Sequence, residues 1–394
     1  MSSSINIRNL KEIIQRQIKD LTDNSSISDL ENLMKLSMLS GGGHIETDSA
    51  DLLSTGRLAF DKQHNRVLVN TSDSNTPYWS EVLTGGTYTE FSTVVPYTFQ
   101  GSSYGYQSAG YFQPPGLPSG AENQIQKYSY TSDGNATDVG DVTVARYYLA
   151  GQSSSTHGYS SGGAGGTNVI DKFPFSTDAN ATDVGDTNLD RSGQASQSSE
   201  THGYNSGGLA TPPAAARYEK FAFASDGNGT DVAQLWNQRT QASGQNSTTH
   251  GYNSGGAYPP TTTMNAIDKF PFAVEENAAD VGDMSQGNWG ARTAGQSSDT
   301  HGYVSGGSEH PNIQRNYIDK FTFASDGNAS DVGDLTLARY YLVGSSSTTH
   351  GYASGGYRPV ARDTIDKFSF TSDGNATDVG DLLNQQYGAA GQQV

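Results

Sequence analysis

The chain has 394 residues, of which 33% are hydrophobic, 47 are glycine and none is cysteine. This composition provides too little aliphatic bulk for the core of a large α/β enzyme, and the lack of cysteine excludes disulfides and cysteine-based metal sites. The formal net charge of −18 at pH 7 argues against binding to nucleic acid, because phosphate contacts need clustered lysine and arginine.

Residues 1–43 are predicted to form a helical anchor or oligomerisation segment. Two apolar runs at helical spacing are separated by residues 23–26, and the second begins at a capping-box pattern, Ser28 to Glu31. The apolar surface is expected to comprise Leu10, Ile13, Ile14, Ile18, Leu21, Leu30, Leu33 and Met34. Two short helices cannot bury that surface alone, so we expect attachment or homo-oligomerisation. Packing against the rest of the same chain is the alternative.

Residues 44–87 are predicted to form a β-hairpin attachment module and a linker. Residues 56–61 and 66–70 are strand candidates around a polar turn, and Tyr78 and Trp79 follow them. A lone hairpin is marginally stable, so we expect it to dock on a neighbour.

Residues 88–394 contain six tandem repeats with a period of about 45 to 53 residues, which is typical of propeller blades. A diverged copy at residues 104–106 precedes five His-Gly-Tyr elements, and Ile-Asp-Lys-Phe and Asp-Val-Gly-Asp elements, or diverged copies of them, follow in each unit. The five elements begin at His157, His202, His250, His301 and His350.

Each repeat offers four short strand candidates, namely the Tyr-Tyr-Leu, His-Gly-Tyr, Ile-Asp-Lys-Phe and Asp-Val-Gly-Asp-Leu stretches. In the third stretch, Phe173 and Phe175 share one face and Ile170 takes the other, as expected for a sheet between two neighbours. Residues 388–391 look like an additional first strand that duplicates residues 94–99. One of these two segments should close the ring, and the sequence leaves the choice open.

The segment after each Gly-Gly pair varies most in length and chemistry. Such variation marks an exposed, adaptable face, where ligand contacts are expected. The candidate ligand-binding residues on these variable loops are Tyr258, His310, Tyr357 and Arg358.

The order Arg, Gly-Tyr-x-x-Gly-Gly, variable loop, Ile-Asp-Lys-Phe and closing Asp-Leu resembles the kelch repeat of galactose-oxidase-like β-propellers. The resemblance implies four-stranded blades in which the diglycine ends the second strand. Five diglycines and the diverged copy at Ser108, Ala109 and Gly110 predict an all-β, six-bladed kelch-like propeller. The chain departs from kelch repeats in having Phe where Tyr-Asp is usual and in lacking a Trp on the fourth strand.

Two repeated polar elements have competing interpretations. Because repeat symmetry copies structural residues, we expect each histidine to be held by hydrogen bonds to an adjacent blade, although a metal-binding or pH-sensing ring is the alternative. The spacing of Asp133, Asn135, Asp138 and Asp141 fits either a calcium loop or self-bonded turns. No metal or other cofactor is assigned.

The sequence favours a binding protein over an enzyme. Without cysteine, the copper and cysteine-linked tyrosine cofactor that the galactose-oxidase resemblance implies cannot form, and the motifs follow the repeat symmetry. Residues 1–83 look like attachment regions of tailed-phage fibres and other virion appendages. That resemblance implies a virion structural protein, in a tail fibre or a head or neck appendage, that contacts other virion proteins and binds a host surface glycan, receptor or protein.

The N-terminus lacks a secretory-signal pattern, and no apolar run is long enough to enter a membrane as a span. We therefore expect synthesis in a host cytoplasm and a final location in the virion. The alternative is a non-viral extracellular lectin or adhesion propeller.

Overall fold

The computed structural model describes the backbone of residues 58–61, 66–70 and 79–81, and it describes residues 98–394 except 166, 211–215, 259–261, 287–288 and 310–312. Contacts divide the chain into two units, Met1–Pro96 and Tyr97–Val394. Every regular element in the described part is a strand, so this part of the chain is all-β. The helical segment predicted for residues 1–43, with its eight apolar residues, lies outside the described residues.

The described part of the first unit is a three-stranded antiparallel sheet. Its strands are β1 (Leu58–Asp61), β2 (Arg66–Asn70) and β3 (Trp79–Glu81), in that order across the sheet. The two predicted strands pair with each other from Leu58 opposite Val69 to Asp61 opposite Arg66, and the strand that begins at Trp79 adds to the second of them.

The second unit holds the repeats, whose strands follow in chain order. Repeat 1 has β4 (Tyr104–Phe112), β5 (Gly120–Ser129) and β6 (Thr137–Asp141). Repeat 2 has β7 (Ala150–Ser153), β8 (His157–Ser161), β9 (Val169–Pro174) and β10 (Thr182–Asp186). Repeat 3 has β11 (Arg191–Ser192), β12 (Ala195–Ser198), β13 (His202–Ser206), β14 (Leu209–Ala210), β15 (Arg217–Ala222) and β16 (Thr230–Gln234).

The later repeats follow the same plan. Repeat 4 has β17 (Ser243–Asn246), β18 (His250–Ser254), β19 (Ala257–Tyr258), β20 (Thr262–Thr263), β21 (Ala266–Pro271) and β22 (Ala279–Asp283). Repeat 5 has β23 (Trp289–Ala291), β24 (Ala294–Ser297), β25 (His301–Ser305), β26 (Ser308–Glu309), β27 (Ile313–Gln314), β28 (Tyr317–Thr322) and β29 (Ser330–Asp334). Repeat 6 has β30 (Val343–Ser346), β31 (His350–Ser354), β32 (Arg362–Ser369) and β33 (Thr377–Tyr387), and β34 (Ala390–Gln393) follows it.

The sheets form a propeller-like ring. Repeats 2 to 5 each give a separate four-stranded antiparallel sheet, whereas repeats 1 and 6 share one sheet in the order β30-β31-β32-β33-β4-β5-β6, with β34 paired to β4. Four separate blades are therefore present among the described residues, not the six that were expected. The sharing arises because the long strand β33 ends with Gln386 and Tyr387 paired to Phe112 and Tyr111 of β4.

The ring is closed by the end of the chain. Strand β34 pairs with β4 from Ala390 opposite Ser108 to Gln393 opposite Gly105. Of the two candidate closing segments, 388–391 therefore contributes to the closing strand. The described part of the other candidate, from Thr98 to Phe99, has no place in a strand and lies at one end of the central axis.

The first strands of repeats 2 and 6 start later than predicted. The Tyr-Tyr-Leu stretch was expected to be extended, but β7 begins at Ala150 and β30 begins at Val343. The reason is local: Tyr148 and Tyr341 have φ values of +59° and +60°, which lie in the left-handed region and interrupt an extended backbone.

Aromatic packing joins neighbouring repeats. The Tyr159 ring lies 5.5 Å from the Phe221 ring and 4.8 Å from the Phe223 ring of the next repeat. Equivalent contacts are made by Tyr106, Tyr204, Tyr252, Tyr303 and Tyr352. The predicted two-faced third strand is confirmed, since Phe173 packs against the preceding repeat and Ile170 clusters with Phe221 of the following one.

Polar contacts repeat at the same junctions. The lysine of each third strand forms an ion pair with an acidic residue of a neighbouring repeat, and an asparagine Oδ1 of that neighbour accepts a backbone N–H at the end of the fourth strand. The ion pairs are Lys127–Asp178, Lys172–Asp226, Lys220–Glu275, Lys269–Asp326, Lys320–Asp373 and Lys367–Asp133. The asparagines are Asn135, Asn180, Asn228, Asn277, Asn328 and Asn375. Both sets run once around the ring and return to repeat 1.

Candidate functional site

The variable loops lie where the innermost strands begin. In repeat 2, Ala164 after the diglycine bridges to Tyr147, and in repeat 6 Tyr357 bridges to Tyr340. Repeats 3, 4 and 5 make the same connection through β11–β14, the bridge of Thr240 to Ala257, and β23–β26. We call this end of the ring the loop face.

One residue of each repeat contributes to a closed ring of backbone hydrogen bonds on the loop face. Each of these residues has φ between +59° and +65°, and each donates its N–H to the carbonyl of its counterpart in the preceding repeat, at 2.5 to 3.0 Å. The residues are Tyr148, Gly193, Gln241, Arg292, Tyr341 and Gly388. We call them the axial ring; the circle is complete because Tyr148 N–H donates to the Gly388 carbonyl.

Four members of the axial ring carry large side chains in a conformation that favours glycine. A left-handed backbone costs a non-glycine residue about 1 kcal/mol, and such strain concentrates at functional sites. At Gly388 a side chain is disfavoured by space as well as by the backbone angle, because a Cβ there would lie 2.6 Å from Cδ1 of Tyr148. The four side chains therefore stand at positions where glycine would avoid this cost.

Seven tyrosines form a contiguous, partly exposed cluster around one side of the axial ring. Their ring centroids are 4.5 to 6.3 Å apart in successive pairs. The members of this tyrosine cluster are Tyr111, Tyr147, Tyr148, Tyr340, Tyr341, Tyr357 and Tyr387, and each is half-buried. They come from repeats 1, 2 and 6 and the end of β33, so closure of the ring brings them together.

Polar contacts fix the centre of the cluster. The Arg292 guanidinium carbon lies 5.2 Å from the Tyr340 ring centroid and 4.9 Å from that of Tyr341. Arg292 Nε donates to Gln241 Oε1 at 3.0 Å, and Gln241 Nε2 donates to the Tyr341 hydroxyl at 3.0 Å. Burial raises the pKa of Tyr387 to about 12 and raises that of Tyr148. Both hydroxyls therefore stay protonated at neutral pH and can donate hydrogen bonds.

The central axis is narrow beneath the axial ring. A cavity of about 110 Å³ is lined by the axial ring and the beginnings of the innermost strands. A second cavity of about 50 Å³ lies among the ends of those strands and touches Phe99. Glycines border both cavities, and a Cβ on Gly151 would overlap the Gly391 carbonyl oxygen. The cavity under the axial ring is therefore smaller than the pockets of about 300 Å³ or more that hold drug-sized ligands.

The chain enters the second unit at the other end of the axis. Phe99 is 4% exposed, Gly101 N–H donates to the Ser346 carbonyl at 2.8 Å, and Gln100 Nε2 donates to the Ser297 carbonyl at 3.2 Å. Ser297 and Ser346 are the last residues of β24 and β30, whereas the loop face lies where these strands begin.

The predicted ligand-binding residues are distributed unevenly. Tyr357 belongs to the tyrosine cluster, and Arg358 follows it, half-buried, with its carbonyl accepting a 2.9 Å hydrogen bond from Arg362 Nη2. Tyr258 is 45% exposed on β19 and is not a member of the cluster. His310 lies outside the described residues.

The five repeated histidines make the same local contact. In each case Nδ1 lies 2.8 Å from Oγ1 of the preceding threonine, and the ring is half-buried. The expected hydrogen bond to an adjacent blade is therefore wrong, because the partner is the neighbouring residue in sequence. Burial, and secondly the nearby lysine, lowers the pKa of every one of these histidines.

The oxygen atoms of the Asp-Asn turns bond to the protein itself. Asp133 pairs with Lys367, Asn135 Oδ1 accepts the Asp381 N–H at 3.0 Å, and Asp138 Oδ1 accepts the Gly140 N–H at 3.1 Å. Within the described ranges, no group of three or more histidine or acidic side chains is placed to hold a metal ion.

Sequence reasoning missed most of the tyrosine cluster and the axial ring. The sequence does contain a signal, since only two repeats place a Tyr-Tyr pair, at 147–148 and 340–341, before the innermost strand, and Tyr387 has the matching position before β34. Both pairs belong to the Tyr-Tyr-Leu stretch, which the sequence predicts as a strand.

No protein-family model matches the chain, and no curated protein matches it significantly. Among the described residues, no helix has the length and apolar character needed to cross a membrane.

Proposed function

We propose that this chain is a virion structural protein, in a tail fibre or a head or neck appendage, that displays a six-bladed kelch-like propeller as a binding module. On this proposal its N-terminal residues attach it to other virion proteins as a homo-oligomer, and the loop face contacts a host surface or another protein. The propeller acts by binding and carries out no reaction.

The count of six blades is supported by the sets of contacts that pass once through every repeat. The axial ring has six members, and six lysine–acid pairs and six asparagine contacts join the repeats. Within the eight-stranded sheet, β34-β4-β5-β6 and β30-β31-β32-β33 each have the four-stranded order of the separate sheets. Counting each as a blade gives six.

The observation that carries the display role is the position of the chain entry at the end of the axis opposite the loop face. Phe99 and Gly101 contact the ends of the innermost strands, while Tyr357 and the rest of the tyrosine cluster surround their beginnings. The first described residues of the second unit therefore contact the ring away from its variable loops. Function on loops carried by a rigid scaffold is the common arrangement for binding proteins.

The virion assignment is tested on particles. Gradient-purified virions from the source should contain peptides of this chain by mass spectrometry, and electron cryo-microscopy should show propeller-sized density on an appendage. An abundant host cytoplasmic protein serves as the contamination control. Finding the chain only on cell surfaces, and never in particles, would favour the non-viral adhesion propeller.

The attachment role is tested separately. Light scattering should give an oligomeric mass for the full chain and a monomeric mass after deletion of residues 1–43. An unchanged mass and unchanged incorporation into particles would contradict the attachment role without affecting the binding role of the loop face.

A further inference from the structure

We infer that the tyrosine cluster is a carbohydrate-binding site that takes neutral hexose units of a surface polysaccharide. This inference rests on the proposed binding function and names its ligand class and its site.

Strained residues with large side chains lie at the centre of the loop face. Tyr148 and Tyr341 have left-handed backbones, and their rings are 4.5 Å apart between centroids. Glycine occupies the same ring position at Gly193 and Gly388, so the position itself does not demand a side chain. Strained backbone conformations concentrate at functional sites. Here the two strained tyrosines place aromatic rings at the mouth of the axis.

The tyrosine cluster combines apolar and polar groups on one surface. The cluster offers ring faces and protonated hydroxyls together, with the amide of Gln241 and the guanidinium of Arg292 in contact with Tyr341. Tyrosine provides a large, rigid and amphipathic contact area with little loss of side-chain entropy on binding. The apolar C–H face of a pyranose ring stacks on an aromatic ring, while its hydroxyls need donors and acceptors around it. The tyrosine cluster supplies both.

The small volume of the cavity under the axial ring favours a sugar over a peptide as the ligand. Peptide anchors with large side chains bind in deep, desolvated pockets, and the cavity under the axial ring has a volume of only about 110 Å³. A saccharide chain can lie along a row of aromatic rings and contact several of them in turn. The cluster spans from Tyr111 through Tyr387 to Tyr340, which provides successive contacts.

The test uses the full chain and a panel of neutral polysaccharides: dextran, cellohexaose, yeast mannan, a β-1,3-glucan and a β-1,4-galactan. Binding is measured by isothermal titration calorimetry and by changes in tyrosine fluorescence. We expect at least one saccharide to bind, Tyr340→Ala and Tyr357→Ala to weaken it about tenfold or more, and Tyr357→Phe to weaken it less. The matched control is Tyr104→Ala, a tyrosine 40% exposed on β4 outside the cluster. Thermal unfolding checks that each variant is folded.

Two outcomes overturn the inference: no saccharide in the panel binds, or binding is unchanged in both alanine variants. If the full chain still adheres to host cells after these results, or selects peptides on the loop face, the proposed binding function stands and the carbohydrate site is refuted. A chain that is absent from virions but binds sugar would refute the virion assignment and keep the carbohydrate site.

Discussion

The side-chain amide of Gln392 donates a 2.8 Å hydrogen bond to the backbone carbonyl of Tyr159, 233 residues earlier in the chain. The same amide donates to the Ser108 and Ser160 hydroxyls. Glutamines at the matching position make the same link to the next repeat at Gln152, Gln197, Gln245 and Gln296. Strand β34 therefore closes the ring with the contacts that hold the internal repeats together.

Replacing Gln392 with alanine should lower the free energy of unfolding by about 1 to 3 kcal/mol, because the Tyr159 carbonyl and two hydroxyls lose a buried partner. The measurement is urea denaturation followed by tyrosine fluorescence. Leu117→Ala is the control, since Leu117 is 64% exposed, and it should change stability by less than about 0.5 kcal/mol. Equal effects of the two substitutions would contradict the closing role of β34.

Breaking the buried ion pair of repeat 6 should cost more. Arg339 Nη1 lies 2.9 Å from Asp366 Oδ2, and both side chains are fully buried. Arg339→Leu leaves the carboxylate without its cation and should cost about 3 to 5 kcal/mol. Adding Asp366→Asn removes the uncompensated charge and should restore part of that loss, as measured in a double-mutant cycle. A double variant less stable than the single one would refute this account.

A methyl group at Gly388 should destabilise the axial ring through a specific contact. Gly388 and Gly116 both have positive φ, +65° and +76°, but only Gly388 has a neighbour near its Cβ position, the Tyr148 ring. Gly116→Ala should therefore cost about 1 kcal/mol for backbone strain alone, and Gly388→Ala should cost clearly more. If the excess arises from Tyr148, it should shrink when Gly388→Ala is made together with Tyr148→Ala, as thermal denaturation can determine.

Stability should fall on mild acidification because of the histidines. Their pKa values are lowered in the folded protein, so the unfolded chain binds more protons. Their contribution is fully present above the unfolded pKa of about 6.5 and is lost as pH falls through that value towards the lower folded pKa. Burial also raises the pKa of Asp268, and that carboxyl acts in the opposite direction.

The histidine contribution is isolated by comparing the parent with His250→Gln. The urea midpoint of the parent should decrease between pH 7.5 and 5.5, and the decrease should be smaller in the variant, which keeps a polar group beside Thr249. An identical decrease in both proteins would show that His250 does not contribute.

The repeated features of the fold were predictable because every repeat carries the same residues. The alternation of Ile170, Phe173 and Phe175 gave the two-faced third strand, and the diglycines marked the loops. The axial ring was not predictable in this way, since its positions hold Tyr, Gly, Gln, Arg, Tyr and Gly. Their shared property is a backbone angle, and that angle follows from closure of the ring.

The candidate site was predictable only at Tyr357, which stands on one of the loops that vary between repeats in length and chemistry. Tyr111 and Tyr387 are distant in sequence, and their rings approach to 5.3 Å because β33 pairs with β4. A periodic sequence does not determine which of two candidate strands will close the circle. Without that choice, the tyrosines of the first and last repeats cannot be placed side by side.

The uniform junctions have a consequence for how such a gene can change. Since neighbouring repeats meet through the same lysine, asparagine and aromatic contacts, recombination between two repeats can exchange their variable loops without altering any junction. A recombination event that adds or removes a whole repeat is different, because the circle of axial hydrogen bonds must then close with another number of members. The architecture is therefore more compatible with an exchange of loops than with a change in the number of repeats.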